Sequence, residues 1–589
     1  MAGEARLGSI EGNRASGLVA TLPEPSSRPR RPWQSRLDLE TVVTGSAILA
    51  LMVLVVAPAL SLVWASFKTG DGIGVGNYDS VLSSRADLRA LGNSLRLGAY
   101  VALFSLLIAL PMAWAAARTN MPGKNFSKLT ATLAYLTPPF LSAIAFVNLF
   151  SPNAGLYSVF VTDVLGAPWL KFNIFSMAGM VLVTVPHTFP FIYLLAVSAL
   201  HSVDASYEES AQILGAGRLR TALSITMPLV APSVLAGILI AFVNAIALFG
   251  SQAIIGVPGR IFTMPTRIYQ LFDYPPEYGL ASATSLIMVA ITLVALYVQR
   301  AYLARRSFVT LSGKGSRPGL IALGQTARWC LFGLTLLVFI GAVLAPYLTL
   351  LAVSFSKSWG LAFWKNLTLD NYRFVIFDFE QTRRGLANSF ILSIAAATLV
   401  VLLGTVISWI DLRTRIPGRK ALDYISLVPL GLPGIVMAVA LLQFWLRVPL
   451  PLYGTLWILL LAYLARFVPL GVRAAGASLR QIDPSLEESA RILGASWGTT
   501  MRYITLPLAR PGLFAGWLLV FVPALQELSA SVLLYSSDSI TLSVAIFNLY
   551  ETGYSEAVAA MSIVNIIVIS IAITIAYKLG GLKSAEMTP

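Results

Sequence analysis

Charge, cysteine and histidine are all scarce in this chain of 589 residues. Only 12% of the residues are Asp, Glu, Lys or Arg, about half the ~25% carried by a soluble domain. The remainder is 57% hydrophobic, more apolar surface than a soluble fold of this size can hide. That balance excludes a soluble protein and indicates an integral membrane protein. The single cysteine, Cys330, excludes an internal disulfide and any cysteine-cluster zinc site. Two histidines, His187 and His201, leave little for haem or histidine-rich metal chemistry. Residues 1–40 have no apolar run and therefore no signal-peptide core; their Arg, Pro, Ser and Gly content reads as a disordered tail.

What is present is a set of long apolar runs and a basic charge of +15. Runs near 41–66, 94–117, 129–150, 176–200, 229–255, 280–302, 327–356, 388–410, 422–446, 452–476, 508–536 and 556–580 each approach the ~20 residues that cross a bilayer. Lipid offers the backbone no partner, so runs of this kind are expected as helices. Placing the N-terminus in the cytoplasm puts 28 of the 42 Lys and Arg on the cytoplasmic side and 13 outside. This asymmetry is the positive-inside pattern with both termini in the cytoplasm. It accounts for the charge without a nucleic-acid partner.

The chain also repeats itself. Asp204–Gly237 aligns with Asp483–Gly516 at a constant offset of 279, and 16 of the 29 positions from Asp204 to Pro232 are identical. Two homologous halves of six spans in the same orientation follow, related by a pseudo-two-fold axis along the membrane normal. The expected layout is a tail at 1–40, a first transmembrane domain at 41–310, a cytoplasmic linker at 311–326, a second domain at 327–583 and a short tail at 584–589. The repeated segment lies between the fourth and fifth spans of each half. Asp204 or Ser206, and Asp483 or Ser485, can cap a helix whose first turn carries Glu208 and Glu209, or Glu487 and Glu488. Gly215 and Gly494 are expected to end that helix, and Pro228 and Pro507 to stop a second short one. An ordinary amphipathic loop under no shared constraint would have diverged most rather than least.

These residues resemble a known motif. Glu209-Ser210-Ala211 with Gly215, Ile225 and Met227-Pro228, and Glu488-Ser489-Ala490 with Gly494, Ile504 and Leu506-Pro507, are similar to the EAA motif of type I ATP-binding cassette (ABC) importer permeases. Serine replaces the middle alanine in both copies, and Met227 replaces leucine in the first. The resemblance implies an all-α permease of about twelve transmembrane helices, with two transmembrane domains fused in one bacterial inner-membrane polypeptide. It implies coupling elements at Glu208, Glu209, Ala211, Gly215 and Pro228 and at Glu487, Glu488, Ala490, Gly494 and Pro507. It implies two copies of a separate ATPase subunit that carries the ATP, and an extracytoplasmic solute-binding protein. It implies no cofactor on this chain itself. Gly123-Lys124-Asn125 and Gly313-Lys314-Gly315 lack the Ser or Thr and the upstream Gly of a phosphate loop. The stretch from Glu527 and its counterpart from Leu248 are similar to iron(III)-type fused permeases and, less closely, to phosphonate- and polyamine-type relatives.

Three residues within spans are candidates for a translocation path. His187 and Arg466 are equivalent at the 279 offset, each one turn before a proline, Pro190 or Pro469. They either face an anionic or metal–anion solute, or Arg466 snorkels to the cytoplasm or satisfies carbonyls freed by Pro469. Glu527, expected on span eleven in the outer half of the membrane, either ligates a passing cation or pairs internally. Its partner position is Leu248. Asn244, Gln252 and Gln526 are weaker candidates. A membrane enzyme would need an Asp/His or Ser/His/Asp cluster, and an ion-driven carrier several intramembrane carboxylates; neither pattern is present, and neither explains the duplicated hairpin.

Overall fold

The structure is a computed structural model that describes residues 39–70, 72–305 and 321–579. Nearly all of the tail expected at 1–40, the whole tail at 584–589 and most of the linker at 311–326 lie outside the described residues. Among the described residues, ten continuous helices are long and apolar enough to cross a membrane: Thr41–Phe67, Arg85–Arg118, Met177–Ser202, Ala222–Ala247, Tyr278–Val298, Gln325–Ser354, Glu380–Arg413, Leu456–Arg480, Trp497–Leu525 and Ser555–Ala576. Two bent helix pairs, each a broken span or a re-entrant loop, stand where the third and ninth spans were expected, in place of straight helices at 129–150 and 422–446. Lys124–Leu136 meets Pro139–Phe150 at 95°, and Arg419–Gly431 meets Gly434–Trp445 at 114°. Proline sets both breaks: Thr137 and Leu432, each directly before a proline, are extended, with ψ of 124° and 115°.

Proline also shapes the straight spans without stopping them. Five-residue π turns at Met52–Val56, Ala222–Thr226, Ile340–Leu344 and Met501–Thr505 are each followed by Ala, Met or Leu and then by Pro58, Pro228, Pro346 or Pro507. The wider turn carries the backbone past a residue that has no N–H to donate. Pro228 and Pro507 therefore do not stop the second helix of each hairpin, as the sequence suggested. That helix runs through the π turn into the fifth or eleventh span.

The repeat holds in three dimensions but in two registers. Arg85–Arg118, Lys124–Leu136 and Pro139–Phe150 match Glu380–Arg413, Arg419–Gly431 and Gly434–Trp445 at an offset of 295, whereas the fourth and tenth spans match at 279. The difference is a connection sixteen residues longer in the first half, between Phe150 and Met177, than between Trp445 and Leu456. Each half centres on three helices: the second, fourth and fifth spans in one, the eighth, tenth and eleventh in the other. The halves exchange their first helices. The first span packs on its own sixth span and on the eighth, ninth and tenth, where Ala47, Leu51, Leu54 and Val55 are buried. The seventh span packs on the twelfth and on the second and third.

Candidate functional site

The duplicated hairpin sits at one end of each half. Its first helix, Ala205–Ile213 or Pro484–Ile492, opens on an aspartate whose side chain accepts the N–H two residues on: Ser206 N–H to Asp204 at 2.9 Å and Ser485 N–H to Asp483 at 2.9 Å. The Ser485 N–H holds the Asp483 carboxyl below its ordinary range. The helix ends at a left-handed glycine, Gly215 with φ +85° or Gly494 with φ +86°. Just before that glycine, two large apolar side chains stand in the open. Ile213 and Leu214 are 85% and 87% exposed, and Ile492 and Leu493 are both 86% exposed.

The two glutamates of each copy have different surroundings. Glu209 and Glu488 face outward, whereas Glu208 and Glu487 are buried. Glu208 lies 3.6 Å from Arg118 Nη1 and accepts a hydrogen bond from the Thr226 hydroxyl at 2.6 Å. Arg118 Nη2 also donates to the Val203 carbonyl at 2.9 Å. The second half repeats the set. Glu487 lies 3.5 Å from Arg413 Nε and accepts from the Thr505 hydroxyl at 3.0 Å, while Arg413 Nη2 donates to the Ile482 and Leu479 carbonyls at 2.6 and 3.1 Å. Ala211 and Ala490 are buried alongside. Arg118, Thr226, Arg413 and Thr505 were not among the sequence candidates. A repeated Trp-x3-Arg-Thr-x2-Pro-Gly pattern, Trp114–Gly123 and Trp409–Gly418, carries the two arginines and was legible at the 295 offset.

Within the spans, Arg466 and Glu527 come together. The Arg466 Nε–Glu527 Oε2 distance is 3.0 Å, with the carboxylate side chain 5% exposed. Glu527 is not on span eleven: that helix ends at Leu525, and Glu527 lies in the irregular stretch beyond it. Its Oε1 accepts the Ala530 N–H at 2.8 Å, so the carboxylate also shapes the turn into Ser531–Leu534. The Arg466 guanidinium thus meets Glu527, the internal pairing that the sequence offered for this carboxylate. It lies against Gly434, where any Cβ would collide with it. His187 is buried and faces the backbone of Ala134 and Thr137. Both residues thus lie at the break of a bent span, His187 at the third and Arg466 at the ninth. No charge pair joins His187 to Leu248. After the fifth span, the Gln252 amide donates to the Ala245 carbonyl at 2.6 Å, across the non-helical step at Leu248–Phe249. Gln526 donates to the Leu136 carbonyl at 3.2 Å, linking the two halves, while Asn244 bonds within its own helix, to Ile240.

Comparison with known proteins agrees with this geometry. A sequence model of the family described as "Binding-protein-dependent transport system inner membrane component" matches residues 105–308 and 412–580, one segment in each half. The ferric transport system permease protein FbpB of Actinobacillus pleuropneumoniae is 28% identical over 541 residues, 89% of this chain and 76% of that protein. A putative ferric transport system permease protein, FbpB 1 of Haemophilus influenzae, is 29% identical over 503 residues, 84% of this chain and 77% of that protein. The molybdenum transport system permease protein ModB of Escherichia coli is 30% identical over 217 residues, 36% of this chain and 92% of that protein. With ten spanning helices and two bent pairs among the described residues, arranged in two repeated halves that are both matched by the family model, the chain belongs to the binding-protein-dependent transport permeases: it is an ABC importer permease with two permease units fused in one polypeptide.

Proposed function

We propose that the two hairpins are the docking elements for two copies of a separate ABC ATPase subunit, and that the solute carried is iron(III), delivered by an extracytoplasmic binding protein. The observation that carries the docking reading is the apolar tip. Ile213 with Leu214, and Ile492 with Leu493, stand almost fully exposed beside a turn fixed by glycine. Paired apolar side chains on a rigid polar hairpin fit a cleft in a partner better than they fit water. On this reading the hairpins and both termini are cytoplasmic, as the distribution of basic residues also favours. Iron(III) rests on the two ferric relatives, which match 89% and 84% of this chain; the molybdenum relative matches 36% of it.

Two measurements test the proposal. The purified chain hydrolyses no ATP, and hydrolysis appears when the ATPase subunit is added; robust hydrolysis by the chain alone would end the reading. In vesicles holding the full complex, ferric ion loaded on the binding protein is taken up and molybdate is not. The reverse preference would leave the importer assignment intact and replace the solute. A third outcome concerns the tip alone. Replacing Ile213 and Leu214 by serine, together with Ile492 and Leu493, weakens ATPase binding by at least ~30-fold, the size expected when anchoring side chains are lost. Unchanged binding would mean that the ATPase docks elsewhere.

A further inference from the structure

Each half gathers four of its elements onto one arginine at the hairpin end, buried at Arg118 and partly buried at Arg413. Arg118 closes the second span and holds the Val203 carbonyl at the foot of the fourth. Through Glu208 it reaches the first helix of the hairpin, and through Thr226 the last residue of the π turn that enters the fifth span. Arg413, Ile482, Glu487 and Thr505 repeat every link. The arginines are related by an offset of 295 and the glutamates by 279, so the set reassembles across a sixteen-residue difference in the chain between them. The shared feature is the spatial contact rather than the spacing in sequence.

We propose that Arg118–Glu208–Thr226 and Arg413–Glu487–Thr505 are the joints through which each hairpin moves the membrane spans. They are positioning residues that turn displacement of a docked hairpin into displacement of the second, fourth and fifth spans, or the eighth, tenth and eleventh. The proposal rests on the reading of the hairpins as ATPase-docking elements. The chemistry suits the task. Glu209 and Glu488 are exposed and available to a partner, whereas Glu208 and Glu487 turn inward and engage only this chain. Apolar contacts alone let two helices slide; here the threonine hydroxyl holds the carboxylate by a directional hydrogen bond, and the guanidinium at 3.5–3.6 Å adds the attraction of an ion pair. Its hold is strengthened where water is largely excluded. A pull on the hairpin therefore reaches three spans together.

The test uses the full complex in vesicles, with ferric ion on the binding protein as probe, and reads ATPase affinity, ATP hydrolysis and uptake side by side. Arg118→Met with Glu208→Met, and Arg413→Met with Glu487→Met, remove each pair without stranding a buried charge. Thr226→Val with Thr505→Val removes only the hydroxyls and serves if the methionine pairs do not fold. The expected result is ATPase affinity and hydrolysis within about twofold of the parent chain, with solute moved per ATP falling at least ~10-fold, in the range of allosteric coupling. Exchanging the pair, Arg118→Glu with Glu208→Arg, recovers more uptake than either single change. Unchanged solute per ATP at normal abundance would overturn the proposal, because the contacts would then only stabilise. Loss of ATPase binding would also overturn it, since the set would then merely shape the docking surface. Failure of the docking reading looks different: the serine variants of the apolar tips would bind the ATPase as the parent chain does.

Discussion

Gly494→Val abolishes uptake while leaving the chain inserted in the membrane at normal abundance. Gly494 ends the helix Pro484–Ile492 with φ +86°, and the backbone closes around it through Gly494 N–H to Arg491 O at 3.0 Å and Ala495 N–H to Ala490 O at 3.0 Å. The second bond spans five residues and is the signature of a helix end built on a left-handed residue. A left-handed residue other than glycine costs about 1–2 kcal/mol, and a β-branched one is worse placed still. Space is not the obstacle, because a Cβ at Gly494 meets nothing within 4 Å. The effect is therefore carried by the backbone: the turn reopens and the Ile492–Leu493 tip loses its aim. Gly215→Val does the same in the first half, where φ is +85°. Asparagine, which tolerates this conformation, retains most uptake, and aspartate falls between. Uptake and ATPase binding by the graded set check this. Normal transport by the valine variants at normal abundance would mean that these hairpins do not couple.

Glu527→Gln destabilises the folded chain by about 1–3 kcal/mol, less than the cost of breaking a fully buried ion pair because the Arg466 side chain left behind is 28% exposed. The carboxylate is 5% exposed and makes two contacts at once, with Arg466 Nε at 3.0 Å and the Ala530 N–H at 2.8 Å. Glutamine keeps an oxygen for Ala530 but leaves the guanidinium without its counter-charge against Gly434. The midpoint of thermal unfolding falls in detergent and abundance in the membrane drops. Adding Arg466→Gln restores much of both, because the stranded charge is then gone. Were Glu527 only a ligand for a passing cation, the single change would lower uptake with the unfolding midpoint unmoved.

Much of this architecture was legible because hydropathy and repetition are strong signals. Ten spans, the two halves and both hairpins follow from apolar length and from one aligned segment. The third and ninth spans were misjudged because average hydropathy does not register direction. Pro138, Pro139, Pro433 and Gly434 carried the bend, and an apolar run reads the same straight or broken. Glu527 was placed on a helix for the same reason: apolar residues resume at Leu528 and again at Val532–Leu534, so the short polar step at Gln526–Glu527 passes for a carboxylate within one span. Arg118 and Arg413 were counted as topology charges at span ends. Their relation to Glu208 and Glu487 was hidden by the longer connection after Phe150, which moves the repeat from one register to the other. The Arg466–Glu527 pair joins residues sixty-one positions apart, with no equivalent at His187 and Leu248 to flag it.

The exchange of first helices bears on how the molecule is made. A chain emerging from the ribosome at ~5–20 residues per second completes its first six spans long before the last six exist. During that interval Ala47, Leu51, Leu54 and Val55 have none of the eighth- and tenth-span surface against which they are finally buried. The faces of the second and third spans that later receive the seventh stand open to lipid. Neither half is thus a complete folding unit, and a chain cut after residue 305 would be an orphan open to degradation rather than half a transporter. Fusing the two units makes the missing partner arrive in the same membrane, at equal dose, every time.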